Sequence, residues 1–248
     1  MVAGGPTLST LTALAVALPT AGRQNDSLWV AWCWSVSAPK RTPRDERRRR
    51  LGQNFLRPDL AAALVADAAF EVTDLVVEIG AGRGACTFAL ARRGVEVIAL
   101  ERDPHWAEHL RREVRRQGLQ RVSVVCCDAL RYRMPDRPFR AMGSLPFGAT
   151  TALLRHLLDD RSSGLRRADL IIQWEVARKR AATPPTTMLS TAWAPWWSFA
   201  LGRRIPADSF RPVPSVDAAV LRVVRREPPL LPDHMADAYA SFVRRHWQ

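Results

Sequence analysis

The chain has 248 residues, and 47% of them are hydrophobic, so it can bury a full core and is too apolar to be intrinsically disordered. Its formal net charge is +13, and among its 37 basic residues only Lys40 and Lys179 are lysines. Because arginine pairs with phosphates through two N–H groups and stacks on bases, this excess favours a nucleic-acid partner. GC-rich codon usage is an alternative source of the arginines, but it does not explain the excess of basic over acidic residues.

The cysteines and histidines do not follow the common metal or disulfide frameworks. The C-x-x-C spacing of zinc sites is absent among the cysteines, which are Cys33, Cys86, Cys126 and Cys127. We expect them to be small buried side chains in a reducing cytoplasm. His105 and His109 have the i, i+4 spacing of a helical ligand pair, but no third ligand accompanies them. The sequence therefore predicts a cytoplasmic protein without a metal.

The first part of the chain differs in composition from the rest. Residues 1–39 contain one basic and one acidic residue, and 1–43 are expected to form a poorly ordered N-terminal extension. The apolar run Leu8–Leu18 is too short to span a membrane and follows no basic residue, so we expect no membrane segment, with a secretion signal as the alternative. The basic run at 44–50 that follows is interpreted as a phosphate contact or as a solvated face.

Strand and helix patterns alternate through the middle of the chain. Apolar runs predict strands at Leu75–Ile79, Val95–Leu100, Val122–Cys126, Phe139–Ser144 and Ala168–Trp174. Amphipathic patterns predict helices at Gly84–Arg93, Pro104–Gln117 and Gly148–Asp159. The last two runs, Trp196–Ile205 and Ala218–Val224, flank a Pro-rich turn and predict an antiparallel pair at one sheet edge. The alternation predicts an α/β fold whose mostly parallel sheet is covered by helices on both faces.

The sequence E-I-G-A-G-R-G at Glu78–Gly84 follows the first of these strands and opens a helix. Glycines there let the backbone turn sharply and approach a ligand, and the helix offers free N–H groups to an anion. The G-x-G-x-G spacing differs from the G-x-G-x-x-G of dinucleotide sites, which counts against a nicotinamide-dependent oxidoreductase. A plain tight turn is the alternative interpretation.

Two acidic residues follow at the ends of the next two strands. Glu101 can accept both ribose hydroxyls of a nucleoside cofactor, and Asp128 can accept from an adenine amino group. Each alone is more often a helix cap or a solvated turn residue. Because the carboxyl ends of parallel strands share one edge of the sheet, the glycine loop and these two acids together predict a nucleoside-binding crevice.

A fourth segment, G-S-L-P-F-G at Gly143–Gly148, follows the fourth strand. Backbone carbonyls around Pro146 can accept from an exocyclic amine, and Phe147 offers a face on which a flipped-out base can stack. A hydrophobic strand-to-helix turn is the alternative interpretation. After the other three signals, this turn predicts the substrate side of the crevice.

Three further motifs carry a family resemblance, namely Q-N-F-L at Gln53–Leu56, Q-W-E-V-A-R-K-R at Gln173–Arg180 and F-R-P-V-P-S-V-D at Phe210–Asp217. With the glycine loop, the chain resembles the Erm family of 23S rRNA adenine-N6 methyltransferases, which confer macrolide-lincosamide-streptogramin B resistance, in particular its actinobacterial members. The resemblance implies a Rossmann-like S-adenosylmethionine-dependent methyltransferase fold with a seven-stranded, mostly parallel sheet and an antiparallel edge pair. Small-subunit rRNA adenine dimethyltransferases are related, and a non-catalytic rRNA-binding or ribosome-assembly protein is a further alternative.

The resemblance also implies a domain plan and a substrate. Residues 44–226 would form the catalytic domain, and 227–248 a remnant of the family's helical RNA-binding domain. The expected reaction is mono- or dimethylation of an adenine N6 in 23S rRNA, either protein-free or in an early assembly intermediate. We expect a monomer that does not bind membranes.

Carried over residue by residue, the resemblance assigns three sets of roles. The cofactor would be held by Gln53, Asn54, Leu56, Gly80, Gly82, Glu101, Arg102, Asp128, Ala129 and Ser144. The target adenine would contact Ser144, Leu145 and Phe147. The RNA would lie against Arg155, Lys179, Arg180 and Arg211. Ser144 departs from the family, which has asparagine there, and a shorter hydroxyl is expected to accept the N6 hydrogens more weakly.

Overall fold

A computed structural model describes residues 54–247 of the chain. The predicted extension at 1–43, the basic run at 44–50 and Gln53 lie outside the described residues. No helix between residues 54 and 247 has the length and apolar character needed to cross a bilayer.

Nine strands occur in the described part of the chain. Two short ones, β1 (Phe55–Leu56) and β8 (Phe210–Arg211), form a separate antiparallel pair. The other seven form one sheet in the order β4-β3-β2-β5-β6-β9-β7. Their bounds are β2 Leu75–Ile79, β3 Glu96–Glu101, β4 Val122–Cys126, β5 Phe139–Ser144, β6 Leu165–Gln173, β7 Trp197–Ile205 and β9 Ala218–Arg225. The first five in this order are parallel, and β9 and β7 complete an antiparallel edge.

Seven α-helices connect or flank these strands in the described residues. They are α1 Pro58–Asp67, α2 Ala85–Arg92, α3 Pro104–Arg116, α4 Thr150–Leu158, α5 Trp174–Arg180, α6 Met188–Trp193 and α7 Ala236–His246. Two apolar clusters, one on each face of the sheet, form the core. All five residues of β2 are buried because this central strand is covered on both faces, which explains its uninterrupted apolar sequence apart from Glu78.

The predicted strands at β2, β4 and β5 are confirmed at the predicted bounds, and the antiparallel edge pair is confirmed as well. Strand β6 begins at Leu165, earlier than predicted, because Arg166 and Arg167 interrupt the apolar pattern yet still belong to the strand. Arg167 pairs with Val224 of β9 and forms an ion pair with Asp169. A charged residue thus occupies a strand because its carboxylate partner lies beside it.

The cysteines only partly follow the expectation of burial. Cys86 is buried in α2, but Cys126 is exposed and Cys127 is intermediate. The expectation was wrong for Cys126 because it ends β4, the edge strand of the sheet, where one side of the strand has no neighbour. The described residues contain no group of three histidines, cysteines or acids that could hold a metal ion.

The pairing of β1 with β8 joins two motifs that are far apart in the sequence. Phe55 lies opposite Arg211, and Leu56 lies opposite Phe210. Leu56 and Phe210 are both buried, whereas Arg211 is exposed on the other face. The Q-N-F-L and F-R-P-V-P-S-V-D segments therefore form one structural unit, which places Asn54 and Phe55 at the carboxyl edge of the large sheet.

Candidate active site

A crevice of about 410 Å³ opens at the carboxyl ends of β2, β3, β4 and β5. The chain runs outward from β2 to β4 and then returns to β5 on the other side of β2, so the crevice lies at the switch point where α/β sheets bind ligands. The sequence-predicted residues that line it are Asn54, Leu56, Gly80, Gly82, Glu101, Arg102, Asp128, Ala129, Ser144, Leu145 and Phe147. The structure thus brings together all the predicted cofactor and target-base residues that it describes.

The glycine loop closes the floor of the crevice. Gly80 and Gly82 have φ values of +76° and +54°, which non-glycine residues rarely adopt. A Cβ at Gly80 would lie 3.2 Å from the carbonyl oxygen of Ser144, so glycine lets the loop approach the end of β5. A Cβ at Gly82 would lie 3.1 Å from the ring of Phe55. The loop is therefore fitted against both the substrate turn and β1.

Glu101 ties this loop to the end of β3. Its carboxylate accepts hydrogen bonds of 2.7 Å from the backbone N–H groups of Gly82 and Asp103. Burial raises the pKa of Glu101, although these two hydrogen bonds act in the opposite direction. A carboxylate has about four lone-pair sites, so two N–H contacts leave acceptor capacity for ribose hydroxyls.

Glu78 lines the same crevice, and sequence reasoning assigned it no role. It is 2% exposed, and the hydroxyl of Thr87 donates to its Oε2 atom at 2.5 Å. Burial raises its pKa to about 7, and the negative charge of Glu101 adds to the rise. The signal that could have identified it is a carboxylate within an otherwise apolar central strand, because such a buried charge requires a partner or a function.

Asp128 is a helix cap that also lies at the crevice, so a cap and a ligand-facing carboxylate are compatible at this position. It caps the short 3-10 helix Ala129–Arg131 by accepting from the N–H of Leu130 at 3.1 Å. It also lines the crevice, and its carboxylate lies 3.9 Å from Nε of the exposed Arg102. The cap orients the carboxylate, and Arg102 lies over the outer side of the same pocket.

The turn after β5 forms the opposite wall. Leu145 is buried, and its N–H donates to the carbonyl of Ile171 at 3.0 Å, which fixes the turn to β6. The carbonyl of Pro146 accepts from the N–H of Ala149 at 2.9 Å and from the Thr150 hydroxyl at 3.3 Å. This carbonyl is engaged within the turn, so the acceptors that face a ligand must come from other atoms of the segment, among them the Ser144 hydroxyl.

The four basic residues predicted to face RNA differ in their surroundings. Arg155 and Lys179 are exposed, and Arg155 lies 3.9 Å from Asp159. Arg211 is exposed and donates at 2.8 Å to the carbonyls of Asp208 and Phe210.

Arg180 is half-buried. It donates to the Thr187 hydroxyl at 2.7 Å, and burial lowers its pKa. Its guanidinium lies 5.6 Å from the centre of the Trp193 ring. Arg180 therefore packs between α5 and α6, and only part of its side chain is accessible to solvent.

Comparison with known proteins identifies the family of this chain. The family model for ribosomal RNA adenine dimethylase matches residues 44–247. The chain belongs to this family. MyrB, a mycinamicin-resistance protein of Micromonospora griseorubida, is 42% identical over 204 residues, which are 82% of this chain and 64% of MyrB. An rRNA adenine N-6-methyltransferase of Corynebacterium diphtheriae is 36% identical over 79% of this chain and 76% of that protein.

Solved structures of the family share the fold. The 23S rRNA methyltransferase ErmE gives a TM-score of 0.69 at 32% identity, covering 77% of this chain and 78% of that chain. A dimethyladenosine transferase from Plasmodium falciparum gives the same TM-score at 20% identity, which shows a common fold. These findings confirm the resemblance inferred from the motifs and the Rossmann-like methyltransferase fold. The match covers less than two-thirds of the length of MyrB.

The charges of the crevice fit the cofactor that the family resemblance implies. Four carboxylates line it (Glu78, Glu101, Asp103 and Asp128), against two guanidiniums, those of Arg83 and Arg102. Both arginines are exposed, whereas Glu78, Glu101 and Asp103 are buried. S-adenosylmethionine carries a positive sulfonium, and an acidic interior of this kind favours a cation. The glycine loop allows close backbone approach and the Glu101 carboxylate retains acceptor capacity, which are features that a nucleoside needs from a binding site.

Proposed function

We propose that this protein transfers a methyl group from S-adenosylmethionine to N6 of an adenine in 23S rRNA, once or twice, and thereby confers macrolide-lincosamide-streptogramin B resistance. The observation that carries the proposal is the joint placement of Glu101, Asp128 and the Ser144 turn around one crevice, in a chain of the rRNA adenine dimethylase family. The resemblance to ErmE, a 23S rRNA methyltransferase, supports the choice of the large-subunit RNA, and the resemblance to the mycinamicin-resistance protein MyrB supports the resistance.

The cofactor would supply an electrophilic methyl group, and the protein would supply alignment. Glu101 would hold the ribose, Asp128 the cofactor adenine, and Asn54 with the glycine loop the methionine part. Phe147 is half-buried at the crevice wall, and its ring would stack on the target adenine after that base leaves its helix. Stacking would offset part of the few kcal/mol that unstacking costs.

Ser144 would act on the amine itself. An adenine amino group has its lone pair delocalised into the ring, and acceptors on its hydrogens favour the pyramidal form in which that pair can attack. The hydroxyl oxygen of Ser144 would be one such acceptor. As the bond between N6 and the methyl group forms, the bond between that methyl group and the sulfonium sulfur would break, and neutral S-adenosylhomocysteine would leave. The methylated nitrogen would be a strong acid that gives up one proton to solvent, so no strong base would be required.

The proposed partner is a free rRNA, and the charge of the chain supports it. The net charge of +13 supports binding to a polyanion, and naked or early-assembly 23S rRNA is the form in which an adenine is free to leave its stack. The exposed residues Arg155, Lys179 and Arg211 would contact its backbone. We propose that the protein acts as a monomer in the cytoplasm.

The test is methyl transfer from labelled S-adenosylmethionine to protein-free 23S and 16S rRNA, with the labelled base located by fragment mapping and its one or two methyl groups counted by mass spectrometry. We expect label at one adenine of 23S rRNA and reduced macrolide susceptibility in a sensitive bacterium that expresses the chain. The matched control is Phe147→Ala, which should bind the cofactor normally and transfer slowly. Label on 16S rRNA instead would identify a small-subunit enzyme. Normal cofactor and RNA binding without transfer would favour the non-catalytic RNA-binding protein.

A further inference from the structure

Two aromatic rings bracket the side chain of Arg83 at the mouth of the crevice. Its guanidinium carbon lies 4.8 Å from the centre of the Phe55 ring and 4.9 Å from that of Trp106. The two rings contact each other edge to face, with centroids 5.0 Å apart. Arg83 is exposed, and it also lines the crevice. We call Phe55, Arg83 and Trp106 the arginine bracket.

Each member of the bracket is held by a different element. Phe55 belongs to β1, which β8 holds in place; Trp106 is buried in the first turn of α3; and Arg83 belongs to the glycine loop. A Cβ at either neighbouring glycine would touch packed side chains, Phe55 in one case and Phe88 or Leu110 in the other. The loop backbone is therefore closely packed on both sides of Arg83, and the two rings contact its side chain.

The bracket leaves the hydrogen-bonding edge of the guanidinium available. The rings contact Arg83 through cation–π interactions, and none of the hydrogen bonds among residues 54–247 uses its N–H donors. Between residues 54 and 247, no carboxylate forms an ion pair with Arg83. By contrast, Arg102, the other arginine of the crevice, lies near Asp128. Arg83 also precedes α2, whose N-terminal N–H groups add positive potential instead of neutralising the charge. Such a site is therefore suited to bind an anion.

The position of the bracket decides which anion fits. Buried carboxylates make the interior of the crevice acidic, whereas Arg83 lies exposed at its rim. Phe55 lies directly opposite Arg211 in the β1–β8 pair, so a second exposed arginine lies on the strand next to the bracket. Basic side chains that alternate with aromatic rings along a rim are suited to a nucleic-acid backbone.

We propose that Arg83 binds a phosphodiester of the RNA strand next to the target adenosine, as a positioning residue held by Phe55 and Trp106. This inference rests on the proposed function. A nucleotide whose base enters the crevice must leave its phosphates at the rim, where a planar fork of N–H donors can bind two phosphate oxygens. The contact would hold the backbone while Phe147 and Ser144 engage the base.

The test compares Arg83→Ala with Arg112→Ala in binding to a 23S rRNA hairpin that contains the target adenine. Arg112 is an exposed arginine on α3, away from the crevice, so its loss removes the same charge. We expect Arg83→Ala to weaken RNA binding about tenfold at low salt and to reduce the slope of log K against log salt by about 0.7–0.9. Arg112→Ala should change both less, and neither variant should alter cofactor affinity.

Two further variants separate charge from geometry. Arg83→Lys keeps the charge without the planar fork, so it should retain the salt slope but recover affinity only in part. Arg83→Gln removes the charge with little loss of length, and it replaces the alanine variant if that one melts early. In turnover, the KM for RNA should rise more than kcat falls.

Three results would overturn the inference. Equal RNA affinity and salt slope in Arg83→Ala and Arg112→Ala would leave Arg83 without a specific phosphate. Loss of cofactor affinity in Arg83→Ala would assign the guanidinium to the cofactor carboxylate. Failure of the wild-type chain to bind any rRNA would refute both the proposed function and this contact. If the wild type binds RNA and the Arg83 variant binds it equally tightly, only the contact is refuted.

Discussion

Ionisation of Glu78 should destabilise the fold, and the size of the effect follows from its pKa. The group has a pKa of about 7 in the folded chain, against an ordinary value of 4.5. Below pH 4.5 it is protonated in both the folded and unfolded states. Between pH 4.5 and 7 the unfolded chain loses the proton while the folded chain keeps it, so the free energy of unfolding falls as pH rises. At about 1.4 kcal/mol per pKa unit, the loss above pH 7 is on the order of 3 kcal/mol.

Glu78→Gln removes this ionisation but keeps an oxygen that can accept from the Thr87 hydroxyl. We expect the variant and the wild type to have similar unfolding free energies at pH 4.5. At pH 8 the variant should be the more stable protein, by about 3 kcal/mol. Urea denaturation of both proteins at the two pH values measures this difference, and other titrating groups cancel because both chains carry them. An unchanged difference between pH 4.5 and 8 would show that Glu78 does not titrate in this range.

Substitutions at Gly143, Ser144 and Asp128 should each change a different property of the protein. Gly143→Ala should destabilise the fold by about 3 kcal/mol or more in urea denaturation, because the added Cβ would overlap the carbonyl oxygen of Ile79. Gly148→Ala is the control and should be nearly neutral, because the Cβ at this position would lie in open space. Ser144→Asn should speed single-turnover methylation about ten- to a hundredfold at unchanged cofactor affinity, and equal rates would contradict the weak-acceptor account. Asp128→Asn should keep the cap and the melting temperature but weaken cofactor binding up to about tenfold in calorimetry.

The parts of the fold that could be predicted are those whose sequence pattern is local. Strands β2, β4 and β5 are apolar runs bounded by polar or glycine residues, so periodicity alone locates them. The acids Glu101 and Asp128 could be placed at one edge because parallel strands end together. Helix α1 was not predicted, although Pro58 lies at its first position.

What could not be predicted depends on contacts between distant segments. Strands β1 and β8 have two residues each, and no propensity argument locates so short a pair or aligns Phe55 with Arg211. The side chain of Arg180 is half-buried beside Thr187 and Trp193, which charge alone does not reveal. The hydrogen bond of the buried Glu78 could not be predicted either, because its partner is the hydroxyl of Thr87 in the first turn of the following helix.

In the proposed function, the crevice binds a cation in its interior and a polyanion at its rim. Glu78 and Glu101 lie in its interior, and burial keeps the pKa of each carboxyl raised. A sulfonium bound there favours the ionised form of both, so cofactor binding near neutral pH should proceed with proton release, chiefly from Glu78. The negative charge that results lies behind the exposed arginines of the rim, which would face the RNA in the proposed function. Without the cofactor, Glu78 is partly protonated near neutral pH, which reduces the repulsion between the crevice and phosphate. With the cofactor bound, the positive sulfonium offsets the charge of the ionised carboxylate. RNA can therefore approach the crevice in either state.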